Sequence, residues 1–207
     1  MNLPLKRVGV LGGAFDPPHL AHQALAQAAL AQLNLDELRV LPTGQAWHKA
    51  RPLSAAPHRL AMTRLAFADI PQVVVDEREI RRAGPTFTVD TLRELKAENP
   101  GAELFLVLGK DQFDALTTWH AWQEIVKLAI ICVADRFAPM PQGVASEAET
   151  VSSCASASLH FRPLKMPAMP LSATLIRERI ATQQDLTPLV CEPVARYIAN
   201  HHLYQTL

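Results

Sequence analysis

Two histidines, His19 and His22, are the residues best suited to chemistry, because they follow a glycine turn and stand three positions apart. The segment reads VGVLGGAFDPPHLAH from Val8 onward, and it predicts a strand, a turn at Gly12 and Gly13, and then a helix. Glycine lets the backbone come close to a ligand, and a helix start offers unpaired amide groups and a positive dipole end. Histidines at this spacing share one helix face and can donate hydrogen bonds to phosphate oxygens. The segment therefore predicts a site for a phosphate that undergoes transfer.

Two other interpretations of the histidine pair remain open at this point. With Asp16 nearby, the pair suits part of a metal site, although a third strong ligand at a helical offset is missing. Either histidine also suits a purely structural role as a hydrogen-bonded polar group. The whole string GGAFDPPHLAH is nevertheless more specific than the glycines or the histidines alone.

A second phosphate-binding candidate is the segment LSATLIRER, which runs from Leu171 to Arg179. Ser172 suits the N-cap of a helix, and Thr174 and Arg177 then lie at positions i and i+3 on one face. A hydroxyl and a guanidinium beside a positive helix end favour an anion. The alternative is an ordinary capped amphipathic helix on the surface.

The elements that must position these residues alternate between strands and helices. Short apolar runs predict strands at Arg7 to Leu11, Leu38 to Leu41, Val73 to Val75, Leu104 to Leu108 and Leu128 to Ala134, with a further one at Leu159 to Leu164. Helical periodicity marks Leu20 to Leu33, Arg59 to Ala68, Val89 to Glu98, Ser172 to Thr182 and Pro193 to His202. This alternation predicts an α/β fold with a doubly wound parallel sheet, closed by C-terminal helices, and Phe137 to Ser158 reads as a long surface loop.

Size and charge limit the partners. A chain of 207 residues suits one domain, 1–207, with the helical part from about residue 171 packed on it. The net charge is zero, so no broad basic field is available for a nucleic acid polymer, whereas a small anion remains compatible. Three widely spaced cysteines (Cys132, Cys154 and Cys191) and the absence of an apolar run of about 20 residues predict a reducing, cytosolic location.

The first segment resembles the GGxFDPxHxGH signature of the nicotinate mononucleotide adenylyltransferases, which are nucleotidyltransferases with an HxGH motif. Ala14 stands where the family usually has Ser or Thr, and Ala21 replaces the glycine between the histidines, where its methyl group is expected to crowd the nucleotide. The second segment matches the family's ISxTxxR motif at Leu171, Ser172, Thr174 and Arg177, with Leu in place of Ile. The resemblance implies a Rossmann-like nucleotidyltransferase fold.

Three further segments resemble the parts of the family that hold the substrates. PTGQAWHKARP is similar to the PPHK loop, which implies that Lys49 reaches the transferring phosphates. GPTFTVDTL is similar to PSYTxxTL, where Thr88 matches the threonine at the nicotinate end. In LGKDQFDALTTWHAW, Gly109 and Asp111 follow a strand and suit the ribose hydroxyls, and Trp119 matches the tryptophan that stacks on the pyridine ring. Asp135 to Phe137 departs from the family's RPGY.

The resemblance implies transfer of the adenylyl group of ATP to nicotinate mononucleotide, with pyrophosphate released. The implied catalytic residues are His19, His22, Lys49 and Arg177. ATP contacts are expected at Gly12, Gly13, Ala14, Phe15, Gly109, Asp111, Ser172 and Thr174, and nicotinate mononucleotide contacts at Asp16, Thr88 and Trp119. Mg2+ is expected to bind mainly through the ATP phosphates. The alternatives are a phosphopantetheine adenylyltransferase or a cytidylyltransferase, and a regulator that binds nucleotide without catalysis.

Overall fold

A twisted sheet forms the centre of the protein, whose computed structural model describes residues 5–44, 52–134, 150–154 and 157–205. The strands are β1 (Arg7–Gly13), β2 (Glu37–Pro42), β3 (Val73–Val75), β4 (Glu103–Gly109), β5 (Ile130–Ala134), β6 (Thr150–Cys154) and β7 (Ala157–Leu164). Within the described residues they form one sheet of seven strands in the order β3-β2-β1-β4-β5-β7-β6. All neighbouring pairs in it are parallel except β6 and β7, which are antiparallel.

Helices cover both faces of this sheet. They are α1 (Leu20–Gln32), α2 (Ala56–Phe67), α3 (Arg78–Arg81), α4 (Thr88–Glu98), α5 (Lys110–Asp114), α6 (Trp122–Leu128), α7 (Ala173–Ala181) and α8 (Glu192–Asn200), with a 3-10 turn at Leu116–Thr118. Strand β4 shows the two-sided burial, because Phe105 and Val107 face the cluster that contains α1, α2, α7 and α8, whereas Leu104 and Leu106 face the cluster of α4 to α6. The predicted doubly wound α/β fold is confirmed.

The strand order places the candidate site. Strand β1 pairs with β2 on one side and with β4 on the other, so the chain turns in opposite directions after β1 and after β4. Open sheets of this kind bind ligands beyond the carboxyl ends of the strands at such a point. The turn after β1 and Gly109 at the end of β4 both lie there.

Three predictions of secondary structure were wrong in detail. Gly12 and Gly13, predicted as a turn, are the last two residues of β1 and pair with Leu41 and Pro42 of β2, so the chain turns only after them. Strand β6 lies inside the segment predicted as a loop from Phe137 to Ser158, because its polar sequence TVSSC has no apolar pattern and pairs through its backbone with β7. Residues 137–149 and 155–156 of that segment lie outside the described residues. Leu128, predicted to begin a strand, ends helix α6 instead. That the whole chain forms one domain stays a prediction.

Candidate active site

The two glycines at the end of β1, Gly12 and Gly13, leave the carboxyl end of the strand accessible to a ligand. Gly12 is exposed, and a Cβ placed on it would meet no atom within 4 Å. A Cβ on Gly13 would instead come within 3.0 Å of the Phe15 ring, so the second glycine gives that ring its space. Phe15 has a φ of 47°, in the left-handed region that non-glycine residues seldom adopt, and it is buried. The backbone at Gly12 is therefore accessible, while the turn that follows is tightly folded.

The two histidines come together at the start of α1. His19 is the N-cap residue, and its ring stacks on that of His22 with 3.7 Å between centroids. The His19 amide donates to Nδ1 of His22 at 3.2 Å, so the neutral His22 ring carries its proton on Nε2. The edge of Phe15 packs against His22 at 5.0 Å. The predicted shared face is confirmed, and this arrangement gives His22 a defined donor atom.

Ala21, which replaces the family glycine, is only 3% exposed. An incoming nucleotide would therefore meet very little of its surface. The structure gives no support to the expectation that its methyl group crowds the nucleotide.

The start of helix α7 reaches the same place from a distant part of the chain. Ser172 caps the helix as predicted, because its hydroxyl accepts from the Leu175 amide at 3.2 Å. Arg177 donates through Nη2 to the Thr174 hydroxyl at 3.0 Å and through Nη1 to the backbone carbonyl of Asp16 at 2.8 Å. The structure thus brings the two segments together, as expected, whereas their binding of phosphate stays a prediction.

The predicted acceptor residues occupy the other helical layer. Thr88 is the first residue of α4 and is half-buried. Trp119 follows the 3-10 turn and packs, also half-buried, at the margin of the cluster formed by α4 to α6. Asp111 lies on α5 and is exposed just beyond Gly109. The contacts of these residues with substrates stay predictions.

Two of the sequence expectations concern residues outside the described ranges. Lys49 lies within residues 45–51, and the segment that departs from RPGY begins at residue 135. Asp16, expected at the acceptor substrate, is described and is 2% exposed. Its carboxylate accepts hydrogen bonds from Tyr204 and from the Ser54 amide, so an acceptor contact of Asp16 stays a prediction beside these internal partners.

Sequence reasoning missed three polar residues near the site, of which Arg59 and Glu79 are buried and Tyr204 is half-buried. Arg59 is 2% exposed, and the local signal for it was its place on the same apolar stripe as Met62 and Ala66 of α2. Tyr204 and Glu79 left no such signal. Burial raises the pKa of the Glu79 carboxyl to about 7, against the opposing effects of hydrogen bonds from Thr91 and Thr43 and of the charge of Arg82.

The arrangement is chemically suited to binding polyphosphate. It combines two helix starts, an imidazole pair and a guanidinium at one sheet edge. Among the residues that the structure describes, no group of three or more His, Cys, Asp and Glu is placed to hold a metal ion. The described cation beside the histidine pair is the Arg177 guanidinium, which donates to the Asp16 carbonyl.

Comparisons with known proteins agree with this chemistry. The family model "Cytidylyltransferase-like" matches residues 10–179. A protein of Albidiferax ferrireducens, named as a probable nicotinate-nucleotide adenylyltransferase, is 61% identical over 98% of this chain and 100% of its own length. One of the same name from Methylibium petroleiphilum is 42% identical over 97% of this chain and 93% of its own length.

A solved structure shows the same fold at low sequence identity. The Plasmodium falciparum nicotinic acid mononucleotide adenylyltransferase, solved with NaAD, superposes with a TM-score of 0.73 at 18% identity, covering 96% of this chain and 97% of its own. At that identity the likeness is one of fold. The family assignment follows from the full-length curated relatives and the family model: the chain belongs to the nicotinate-nucleotide adenylyltransferases, within the cytidylyltransferase-like nucleotidyltransferases.

Proposed function

We propose that His19, His22 and Arg177 are the described residues with which this enzyme acts on the phosphates of ATP. The enzyme transfers the adenylyl group of ATP to nicotinate mononucleotide, which gives deamido-NAD and pyrophosphate in NAD biosynthesis. The observation that carries the residue assignment is the 2.8 Å contact of Arg177 with the Asp16 carbonyl. This contact joins the start of α7 to the turn that leads into the histidine pair.

The reaction needs little covalent chemistry from the protein. A phosphate oxygen of nicotinate mononucleotide attacks the α-phosphorus of ATP, the new P–O bond forms, and the bond to pyrophosphate breaks in line. The nucleophile needs no general base, because a phosphate monoester loses its second proton near a pKa of about 6. The enzyme must hold two polyanions together and stabilise the charge that moves onto pyrophosphate.

Each residue near the phosphates has a proposed task. The Nε2–H of His22 faces developing charge at the α- and β-phosphates together with His19, and Arg177 and Lys49 stabilise the leaving pyrophosphate. Ser172 and Thr174 give supporting hydrogen bonds at the α7 start. Backbone groups of Gly12, Gly13, Ala14 and Phe15 line the approach, as supported by the open surface at Gly12. Gly109 and Asp111 contact the ribose.

The acceptor has its own proposed contacts. Thr88 and Asp16 hold the nicotinate mononucleotide, and Trp119 stacks on its pyridine ring. The half-buried position of Trp119, with its ring packed at the margin of a core cluster, supports a fixed stacking surface.

The family generally uses a divalent metal, and we propose Mg2+ for this enzyme. The donor set fits an ion held by ATP rather than by the protein, because the described groups at the phosphate site are imidazoles, a guanidinium and hydroxyls, and the Asp16 carboxylate already accepts two internal hydrogen bonds. When bound, Mg2+ neutralises charge on the phosphates. His19, His22 and Arg177 then supply the remaining donors.

The setting of the enzyme is also proposed. No helix among the described residues is long and apolar enough to cross a membrane. Cys132 and Cys191 are free thiols, and burial raises the pKa of Cys132 to about 12, which keeps it protonated and unreactive. The two free thiols among the described residues support the proposal of a reducing cytosolic location.

A pyrophosphate-release assay with purified protein tests the proposal. ATP and Mg2+ are offered with nicotinate mononucleotide, nicotinamide mononucleotide or phosphopantetheine, and CTP replaces ATP in a parallel series. We expect turnover with ATP and nicotinate mononucleotide to exceed all other combinations. Silence with both pyridine mononucleotides would contradict the function, and turnover by the His22→Ala variant equal to wild type would remove His22 from it.

A further inference from the structure

A buried anchor lies behind the phosphate-binding turn and consists of Asp16, Arg59 and Tyr204. Asp16 and Arg59 are each 2% exposed, and Tyr204 is half-buried four residues after the end of α8. The Tyr204 hydroxyl donates to Oδ1 of Asp16 at 2.6 Å, and the Ser54 amide donates to Oδ2 at 3.1 Å. Both oxygens of a buried carboxylate are therefore engaged within the protein, as burial of a charge requires.

Arg59 fixes three separate stretches of backbone at once. Its Nε donates to the carbonyl of Ser54 at 3.0 Å, its Nη1 to that of Ala14 at 3.0 Å and its Nη2 to that of Gly44 at 3.2 Å. The Ser54 carbonyl belongs to the segment before α2, the Ala14 carbonyl to the turn after β1, and the Gly44 carbonyl to the loop just after β2. A planar guanidinium can satisfy three directions in this way, whereas the single ammonium of lysine cannot reproduce the fork.

The anchor touches both halves of the proposed transfer site. The backbone carbonyl of Asp16 accepts from Arg177 at 2.8 Å. Phe15 stands between Ala14 and Asp16, both of which the anchor holds, and its ring packs on His22 at 5.0 Å. Any shift of this turn would move the His22 imidazole and the Arg177 guanidinium relative to each other.

We propose that Tyr204, acting through Asp16, and Arg59 are positioning residues that hold His22 and Arg177 in register for adenylyl transfer. This inference rests on the functions proposed above for His22 and Arg177. Asp16 is only 2% exposed, so in positioning it acts through its internal hydrogen bonds, apart from the acceptor contact proposed above. Misplacement of reacting groups by about 1 Å can lower rates about a hundredfold. The loss of one hydrogen bond in the anchor should therefore lower kcat.

The protonation states of Tyr204 and Arg59 keep the hydrogen bonds of the anchor in place. Burial, followed by the hydrogen bond to Asp16, raises the pKa of the Tyr204 phenol well above its usual value, so the hydroxyl remains a donor. Burial lowers the pKa of Arg59, while the charge of Asp16 opposes that change. The carboxylate and guanidinium compensate one another in the interior.

The test compares two tyrosines that make similar bonds. Tyr204→Phe removes the donor to Asp16 and keeps the ring. Tyr197→Phe is the matched control, because the Tyr197 hydroxyl is 3.0 Å from Nδ1 of His58, in a contact between α8 and α2 that includes no residue of the anchor. We expect Tyr204→Phe to lower kcat about tenfold, which corresponds to the loss of one hydrogen bond to a charged group, with little change in ATP affinity. Tyr197→Phe should keep the wild-type kcat even where both variants lose equal thermal stability.

A double-mutant cycle tests whether Tyr204 acts through Asp16. Asp16→Ala removes the acceptor of the Tyr204 hydroxyl, so Asp16→Ala and Tyr204→Phe should be non-additive in kcat, and the double variant should turn over no more slowly than Asp16→Ala alone. Arg59→Lys should lower kcat more than Tyr204→Phe does, because it releases at least two of three carbonyls. Full additivity, or a wild-type kcat in Tyr204→Phe, would overturn the proposal.

Hydrogen exchange supplies a readout that needs no activity. In Tyr204→Phe the amides from Ala14 to His22 should exchange faster than in wild type, whereas in Tyr197→Phe the faster exchange should lie in α2. Unchanged exchange in the first segment would overturn the anchor. A wild-type enzyme without turnover would count against the proposed function, and the exchange result would still decide the inference.

Discussion

The two parts of the site, for which we propose phosphate binding and acceptor binding, are built in different ways. On the phosphate side, residues far apart in sequence contact one another directly, as the bond between Arg177 and the Asp16 carbonyl shows. On the acceptor side, Thr88 and Trp119 stand on different elements of the opposite layer. Helix α4, which begins at Thr88, also contacts a buried carboxyl, because the Thr91 hydroxyl donates to Glu79 at 2.8 Å.

This difference follows from what each side must recognise. Triphosphate presents the same dense charge in every reaction of the family, so its donors must converge at fixed positions. On the proposed acceptor side, a ring and a ribose would be recognised through separate contacts, which depend on packing. Gly44 shows how close that packing is, because a Cβ there would lie 2.1 Å from the Glu79 carbonyl. We therefore expect substitutions on the phosphate side to change kcat and those on the acceptor side to change KM or stability.

The largest effect is expected for His22→Ala, which removes the imidazole donor from the phosphate side. Loss of one such donor costs roughly 3 kcal/mol of transition-state stabilisation, so kcat should fall by about a hundredfold or more. Steady-state kinetics with both substrates saturating measures it. His160→Ala is the control, because His160 is an exposed histidine of β7. A drop confined to the KM for nicotinate mononucleotide would contradict the division between the two sides.

Glu79→Gln should alter the pH dependence of stability on the acceptor side. The pKa of Glu79 is raised from 4.5 to about 7, so the folded state binds the extra proton and loses stability as pH rises through this window. The cost is fully present above about pH 7. The variant, which has no such charge, should gain on the order of 2 kcal/mol of unfolding free energy over wild type there and little near pH 4.5.

Urea unfolding at a series of pH values measures this gain. Glu94→Gln is the matched control, because Glu94 is exposed and pairs with Arg82 at 2.7 Å. It should show no comparable rise across the window. A stability difference between Glu79→Gln and wild type that does not depend on pH would disprove the raised pKa.

The sequence predicted the parts of the fold and site that local patterns encode. Apolar runs marked the strands, and even the partly exposed edge strand Val73 to Val75 was predicted with the bounds observed. The spacing of His19 and His22 predicted their shared face, because helix geometry alone determines it. The convergence of Arg177 on the same edge was expected from the resemblance to the family rather than from spacing.

The remaining features depend on tertiary structure. The buried position of Arg59 depends on carbonyls at Ala14, Gly44 and Ser54 meeting around one guanidinium, and no sequence window contains all three with their orientation. The Tyr204 bond to Asp16 spans 188 positions. Short helices such as α5 are too brief to show a helical period.

Trp119→Ala should raise the KM for nicotinate mononucleotide and leave the KM for ATP unchanged. Aromatic stacking is worth about 0.5–1.5 kcal/mol beyond burial, which corresponds to an increase of about two- to twelvefold. Initial-rate assays with each substrate varied in turn give both constants. Trp122→Ala is the control, since Trp122 is also half-buried at the margin of the same cluster. Equal KM values in the two variants would leave Trp119 with packing alone.

Ala21→Gly, the smallest change, tests whether the phosphate side lost affinity when it departed from the family glycine. Ala21 is the second residue of α1 and is 3% exposed, so removal of its methyl group should open no room for ATP. Glycine in a helix costs about 0.5–1 kcal/mol relative to alanine, so the variant should lose that much stability with the KM for ATP unchanged. Ala28→Gly, on the half-buried side of the same helix, provides the matched loss of helix propensity. A several-fold lower KM for ATP in Ala21→Gly alone would show that the methyl group does reach the nucleotide. The phosphate side of the wild-type enzyme would then bind ATP more weakly because of Ala21.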